Sequence, residues 1–362
     1  MDRERKAAIG RQLTYGTDTE VHNYSYRPDY YFIGETKIIR SWTSPNKVES
    51  KFIEREGIPM GFELELERRY GSGFSDADVI YEINKTIGYN YYVDRLGRYD
   101  NDVTEQIDEV VPQLMIAKTD GSLSNGVEFV TQPMTLGVHQ GVGYNFDTFN
   151  DVYQGYHRST TGMHVHIPKG AFTNTELYLW LFLMEMIGNV RTDHRNWTSL
   201  LSLIGQRGFN NWARFNMPTY SSVKHSLAQV SIDRLDTDGQ RYKFLNFQPR
   251  STIELRFFKA NMLRSRIIKN LEFVDSTYEY VKMLTNQGYN PHNLLLNANN
   301  FKAYWDFVTD SSNQDKYSNY INYLNPYLER LVDINNAYNI HSDNDTDALN
   351  NIIQDEIRED VA

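Results

Sequence analysis

The chain has 362 residues, a net charge of −10, 14% aromatic residues and no cysteine. That is ample material for a packed core and excludes a disordered chain, disulfides, thiolate metal sites and a cysteine nucleophile. The acidic balance also argues against sequence-independent nucleic-acid binding, which needs clustered Lys and Arg against phosphate.

In chain order, residues 1–55 read as a tyrosine-rich N-terminal extension. The stretch VHNYSYRPDYYFIG has no helical period, and MDRERKAAIGRQ lacks the apolar region of a secretory signal. From Pro59 the signals sharpen. MGFELELE alternates and predicts a strand, and SDADVIYEINKTIG predicts a short helix from Ser75 to Gly88. QLMIAKTDGSLS predicts a strand running into a turn at Asp120 and Gly121, and GVEFVTQP a short strand ended by Pro133. GMHVHIP, at 162–168, predicts a buried strand. Thr173 and Glu176 have capping-box spacing at the head of the next helix. RYKFLNFQP and STIELRFFKA predict two further strands. Ile267, Leu271, Val274, Tyr278 and Val281 then fall at helical spacing. The tail, 291–362, is Asn- and Tyr-rich, with helical pieces such as YINYLNPYLERLVDINNAY. Clustered strands with irregularly placed helices predict an α+β fold on a largely antiparallel sheet. The most apolar run, 177–187, is interrupted by Glu185 and falls short of the ~20 residues of a membrane span. A soluble, cytoplasmic protein is expected.

Three of these strands share one pattern. Phe62, Leu64 and Leu66 oppose Glu63, Glu65 and Glu67; Met163, Val165 and Ile167 oppose His164 and His166; Ile253, Leu255 and Phe257 oppose Glu254 and Arg256. Side chains alternate across a strand, so each segment has an apolar face and a face of metal-ligand or phosphate-binding types. Glu128 adds a fourth carboxylate between Val127 and Phe129. Each segment alone also reads as a solvated face, with Glu254 and Arg256 simply pairing. Together they contain no lysine on those faces. Gathered on one sheet, several carboxylates would need cations among them or would stay protonated. Carboxylate and imidazole donors admit Mg²⁺ or Mn²⁺. No P-loop or dinucleotide fingerprint is present, and Lys118, Arg207, Arg241 and Arg250 read equally well as surface charges.

GFELE, DGSLSNGVEFVTQP, GMHVH and TIELRFF, in that order, resemble the amidoligase family. This is the carboxylate–amine ligase branch of the glutamine synthetase and glutamate–cysteine ligase superfamily. The resemblance spans residues 59–284 and implies a curved, glutamine-synthetase-like catalytic half-barrel with helices on its apolar face. It implies a catalytic domain over 56–290, with 1–55 and 291–362 outside it. By position, Glu63, His164 and Glu254 would hold one divalent metal, and Glu65 and Glu128 a second. His166 would face the phosphates of ATP, and Arg256 would meet the transferring phosphoryl group. Tyr242 and Asn246 fit the family's Tyr/Asn strand at the nucleotide. Asp120 and Ser122 fall beside the acceptor site. Glu67 has no counterpart and is expected as a solvated end residue.

The activity implied is ATP-dependent formation of an amide or peptide-like bond through an acyl phosphate, with a small-molecule or peptide acid and an amine as substrates. An alternative from another class is a catalytically reduced amidoligase-like scaffold, for example in a phage particle, making assembly or oligomer contacts through the N-terminal extension and the tail. A metalloenzyme of the cupin type fits poorly, because the next glutamate after the HxH pair is Glu176.

Overall fold

A computed structural model describes residues 30–31, 38–39, 57–69, 115–118, 123, 126–131, 134–141, 144, 146–155, 160–190, 199–207, 244–249, 252–287 and 300–328. The chain forms two compact units. One comprises Met1–Ala171 and Pro249–Leu271, the other Phe172–Gln248 and Glu272–Ala362.

In the first unit, β1 (Tyr30–Tyr31) pairs antiparallel with β2 (Ile38–Ile39). The main sheet is built from β3 (Gly61–Arg68), β4 (Met115–Lys118), β5 (Gly126–Thr131), β6 (Tyr153–Gln154), β7 (Gly162–Pro168) and β9 (Thr252–Lys259). Its strand order is β4-β5-β3-β7-β9, every described pairing in it is antiparallel, and it does not close into a barrel. The two-residue β6 continues along β3 at Glu67 and Arg68, beyond the reach of β7. The fold class is therefore α+β on an antiparallel sheet, as the alternation predicts.

Period-2 alternation gives the sheet its two faces. On the apolar face Phe62 packs edge-on against Tyr144, with ring centroids 5.3 Å apart, and Phe129 against Phe146 at 5.2 Å. His139, on α1 (Leu136–Gly141), lies 5.9 Å from the Phe62 ring. Met163 receives a hydrogen bond from Asn270 Nδ2 at 3.3 Å, from the first-unit part of α4 (Arg264–Asn286). Phe62, Leu64, Leu66, Met163, Val165, Ile167, Ile253 and Leu255 are all essentially inaccessible. Each contributes roughly 1.5–3 kcal/mol by leaving water. At Gly126 the backbones approach so closely that a Cβ would sit 2.4 Å from the Leu66 carbonyl oxygen, so glycine is required there.

The second unit is mainly helical: α2 (Asn174–Asn189), α3 (Leu200–Gly205), the later turns of α4, α5 (Phe301–Thr309) and α6 (Ser318–Leu328), with the short β8 (Leu245–Asn246). Trp180 on α2 donates its indole N–H to Thr277 on α4 at 3.0 Å. Buried Glu272 on α4 accepts from the backbone N–H of Tyr320 at 2.7 Å and from Asn319 Nδ2 at 2.8 Å. It thereby caps the N-terminus of α6 and complements its dipole. No described helix is long and apolar enough to cross a membrane. The helix expected at 75–88, the turn at Asp120, and the tail beyond 328 lie outside the described residues.

Candidate metal centre

The site face of the sheet follows from register. Glu63 lies directly opposite His164 across β3 and β7, and His166 directly opposite Glu254 across β7 and β9. Glu65 lies directly opposite Glu128 across β3 and β5. Opposed residues in an antiparallel pair have Cβ atoms ~5 Å apart, so pairing alone gathers these side chains.

They are not solvated. Glu63, Glu65, Glu128, His164, His166 and Glu254 are all buried, and the Arg256 side chain is 11% exposed. Glu67 was expected as a solvated end residue. It is buried as well and accepts a hydrogen bond from Thr160 Oγ1 at 3.3 Å. The sequence pattern distinguishes apolar from polar faces, but it does not tell water from an enclosed polar wall.

His164 sits at the centre. Its Nδ1 is 3.0 Å from Glu63 Oε2 and 3.3 Å from Glu254 Oε1. Its Nε2 is turned toward Glu65 Oε1 at 3.9 Å, too far for a direct hydrogen bond. Among the described residues, Glu63, His164 and Glu254 form the one group of three whose ligand atoms all lie within 4.8 Å of one another. An octahedral ion with ligands at ~2.1 Å sets cis donors about 3.0 Å and trans donors about 4.2 Å apart. The His164 Nδ1 distances match cis positions, so the donor set fits a divalent cation bound through Nδ1. The Nε2–H would then point at Glu65, as the outer nitrogen of a metal-bound histidine usually points at a carboxylate.

A β-bulge shapes the other side. Met163 pairs with Phe258 but Val165 pairs with Leu255, so Arg256 and Phe257 together stand opposite His164. Strict alternation places Phe257 on the apolar face with Ile253 and Leu255. With one extra residue inserted, Phe258 takes that place opposite Met163. Before the bulge, Arg256 keeps the parity of Glu254, and its Nη1 contacts Glu254 Oε1. Burial works to raise the Glu254 pKa, but Arg256, then His164 and His166, outweigh it and hold the carboxyl below its ordinary value. Burial likewise opposes the charge on Arg256, yet Glu254, Glu63 and Glu65 raise its pKa. The wall thus keeps both Glu254 and Arg256 ionised.

His166 Nε2 lies 3.6 Å from Glu63 Oε1, and its Nδ1 is 3.1 Å from Thr252 Oγ1. Thr252, at the head of β9, carries no signal in the sequence beyond ordinary strand propensity. Its position two residues before Glu254, on the same face, is the one clue. Asn246 belongs to the second unit, and its Oδ1 accepts from the Gln248 backbone N–H at 3.0 Å. Tyr242, Asp120 and Ser122 lie outside the described residues, as do Arg241 and Arg250. Arg207 is buried in the second unit. The structure thus brings together Glu63, Glu65, Glu128, His164, His166, Glu254 and Arg256 from four strands. Neither a protein-family model nor a curated protein matches this chain.

Proposed function

We propose that the chain is an ATP-dependent carboxylate–amine ligase of the amidoligase type, its sheet serving as a glutamine-synthetase-like half-barrel. The observation that carries the reading is the buried Glu63, His164 and Glu254 group on three neighbouring strands, with Arg256 against Glu254. A carboxylate resists attack by an amine. Transfer of the ATP γ-phosphoryl group to it gives an acyl phosphate and ADP; the amine then displaces phosphate and the amide forms. Glu63, His164 and Glu254 would hold one Mg²⁺ or Mn²⁺, and Glu65 with Glu128 a second. Such ions neutralise phosphate charge and polarise the transferring group.

The chain's own residues divide the remaining work. Arg256 is a fixed cation at the wall and would meet the negative charge that develops on the phosphoryl oxygens. His166 would donate to a phosphate oxygen. Glu65 and Glu128 face each other directly, a pairing that is unfavourable for two buried anions and that a bound cation would relieve. The enclosed wall lowers the effective dielectric, which strengthens each of these interactions.

Calorimetric titration with Mg-ATP tests the reading on the wild type and on Glu254→Gln. Clear binding by the wild type and at least about tenfold weaker binding by the variant are expected, because a ligand carboxylate is lost. ADP release should require the divalent ion together with an acid and an amine. Equal Mg-ATP binding by the two proteins would remove Glu254 from the site. A protein that binds neither metal nor ATP would be a scaffold instead.

A further inference from the structure

We infer that Lys259 is a phosphate-binding residue of this site: the β-bulge in β9 turns it onto the carboxylate face, where its ammonium meets an oxygen of the ATP phosphate chain beside Arg256. The identity of the anion rests on the proposed function; the placement of the cation does not.

Counted by strict alternation from Glu254, Arg256 falls on the site face, and Lys259 falls on the apolar face with Ile253, Leu255 and Phe257. A lysine there would bury its charge in the core. The register removes the conflict. Val165 pairs with Leu255, Met163 with Phe258 and Gly162 with Lys259. Opposed residues of an antiparallel pair share a face, and Gly162 has the parity of His164 and His166. The extra residue therefore puts Phe258 in the core, where it is inaccessible, and Lys259 on the face of the two histidines. Bulges re-aim side chains in this way beside functional sites. Lys259 is half-buried, so a ligand arriving from solvent can reach it.

Gly162 contributes no side chain, so the strip of β7 beside Lys259 is bare. Glu65 and Gly162 are the next residues on β3 and β7 after the paired Leu64 and Met163. A row across the sheet then runs Lys259, Gly162, Glu65, Glu128, with one cation and two carboxylates on either side of the glycine. A polyphosphate uses both parts: divalent ions held by carboxylates, and side-chain cations on its remaining oxygens. Arg256 and Lys259 stand opposite His164 and Gly162, two residues apart on β7, which spaces their backbones by ~7 Å. Arg256 is held against Glu254, whereas Lys259 faces a glycine across the ladder. Lysine is a compact charge with three donors on a flexible stem, so it can follow a phosphoryl oxygen that the rigid fork of Arg256 does not meet.

Calorimetry with Mg-ATP, and with Mg-tripolyphosphate, which lacks the nucleoside, compares full-length wild type, Lys259→Met and Lys259→Arg. Lys259→Met removes the charge and should weaken both ligands about tenfold, the loss of one charge-assisted hydrogen bond. Lys259→Arg keeps a charge and donors and should stay within about threefold of wild type. The Mn²⁺ affinity of Lys259→Met should not fall, which separates loss of the anion contact from a misfolded wall. On the wild type alone, Lys259 should be acetylated in the free protein. Acetylation should slow about tenfold at a tripolyphosphate concentration about ten times Kd, by mass action. Equal affinities of Lys259→Met and wild type for both ligands would overturn the inference and leave the ligase reading to Mg-ATP binding. So would a Lys259 that is unreactive in the free protein or reacts equally fast with tripolyphosphate. Lys259-dependent binding of tripolyphosphate without binding of Mg-ATP keeps the anion site and removes the ligase reading. A wild type that binds neither ligand ends both.

Discussion

His139 lies on the apolar side of the sheet, and it shows what burial does to a single titratable group here. The ring is inaccessible; Nε2 is 2.8 Å from the Met60 carbonyl oxygen and Nδ1 is 2.6 Å from the Tyr144 hydroxyl. A carbonyl only accepts, so Nε2–H donates to Met60 and Nδ1 accepts from Tyr144, the arrangement of a neutral imidazole. Burial lowers the pKa from 6.5 to about 4, against the opposing pull of the backbone hydrogen bonds to Met60 and Met134. The folded value lies below the unfolded one, so the folded state binds fewer protons between them. The contribution is fully present above pH 6.5 and is lost as pH falls through 4. It amounts to about 3 kcal/mol, from the linkage of ~1.4 kcal/mol per pKa unit. Proton NMR of the His139 ring should titrate with a midpoint near 4, and urea stability of the wild type should fall more steeply below pH 6.5 than that of His139→Gln. A midpoint near 6.5 would mean that the ring is not held neutral between Met60 and Tyr144.

Among the elements, α2 is fastened at its first turn by one glutamate. The Thr173 N–H donates to Glu176 Oε2 at 2.7 Å and the Glu176 N–H to Thr173 Oγ1 at 3.2 Å, completing the capping box. The other carboxylate oxygen accepts from Lys282 at 2.7 Å and Thr285 at 3.3 Å, both on α4. Thr173→Ala removes only the cap and should cost about 1 kcal/mol. Glu176→Ala removes a cap bond and the ties to α4 and should cost about 2 kcal/mol. Urea midpoints of the two variants measure the difference, and equal losses would show that the α4 contacts contribute nothing. This box is legible in the sequence because its spacing is fixed by helix geometry. The same holds for β3, β7 and β9, where alternation is dictated by the pleat. The bulge at Arg256 and Phe257 is not legible, since two adjacent phenylalanines suit either side of an inserted residue. Nor is the shortness of β8. The run RYKFLNFQP looks like a full strand, but the Asn246 side chain bonds the Gln248 N–H and turns the chain just before Pro249. The contact of Thr252 with His166 is not legible either, because a threonine opening a strand is ordinary.

At the scale of the whole molecule, the candidate metal centre draws on chain segments that lie far apart in sequence. Glu63, His164 and Glu254 come from β3, β7 and β9, and all three belong to the first unit. Without cations, the wall gathers four buried carboxylates, Glu63, Glu65, Glu128 and Glu254, around two imidazoles and one guanidinium. Ionised together they would repel one another, which would subtract from the stability that the apolar face supplies. A cation that binds only the folded wall removes that repulsion and adds stability as RT ln(1 + [L]/Kd), about 2.7 kcal/mol at a hundredfold excess over Kd. The gain belongs to the unit that holds the ligands. Hydrogen exchange with and without Mn²⁺ should therefore slow amides of β3, β7 and β9 by up to about a hundredfold, where exchange requires opening of that unit. Amides of α5 and α6, in the second unit, contain none of these ligands and should keep their rates. Slowing confined to α5 and α6, or no slowing in the three strands at saturating Mn²⁺, would place the ion elsewhere and leave the carboxylate wall a structural feature of the sheet.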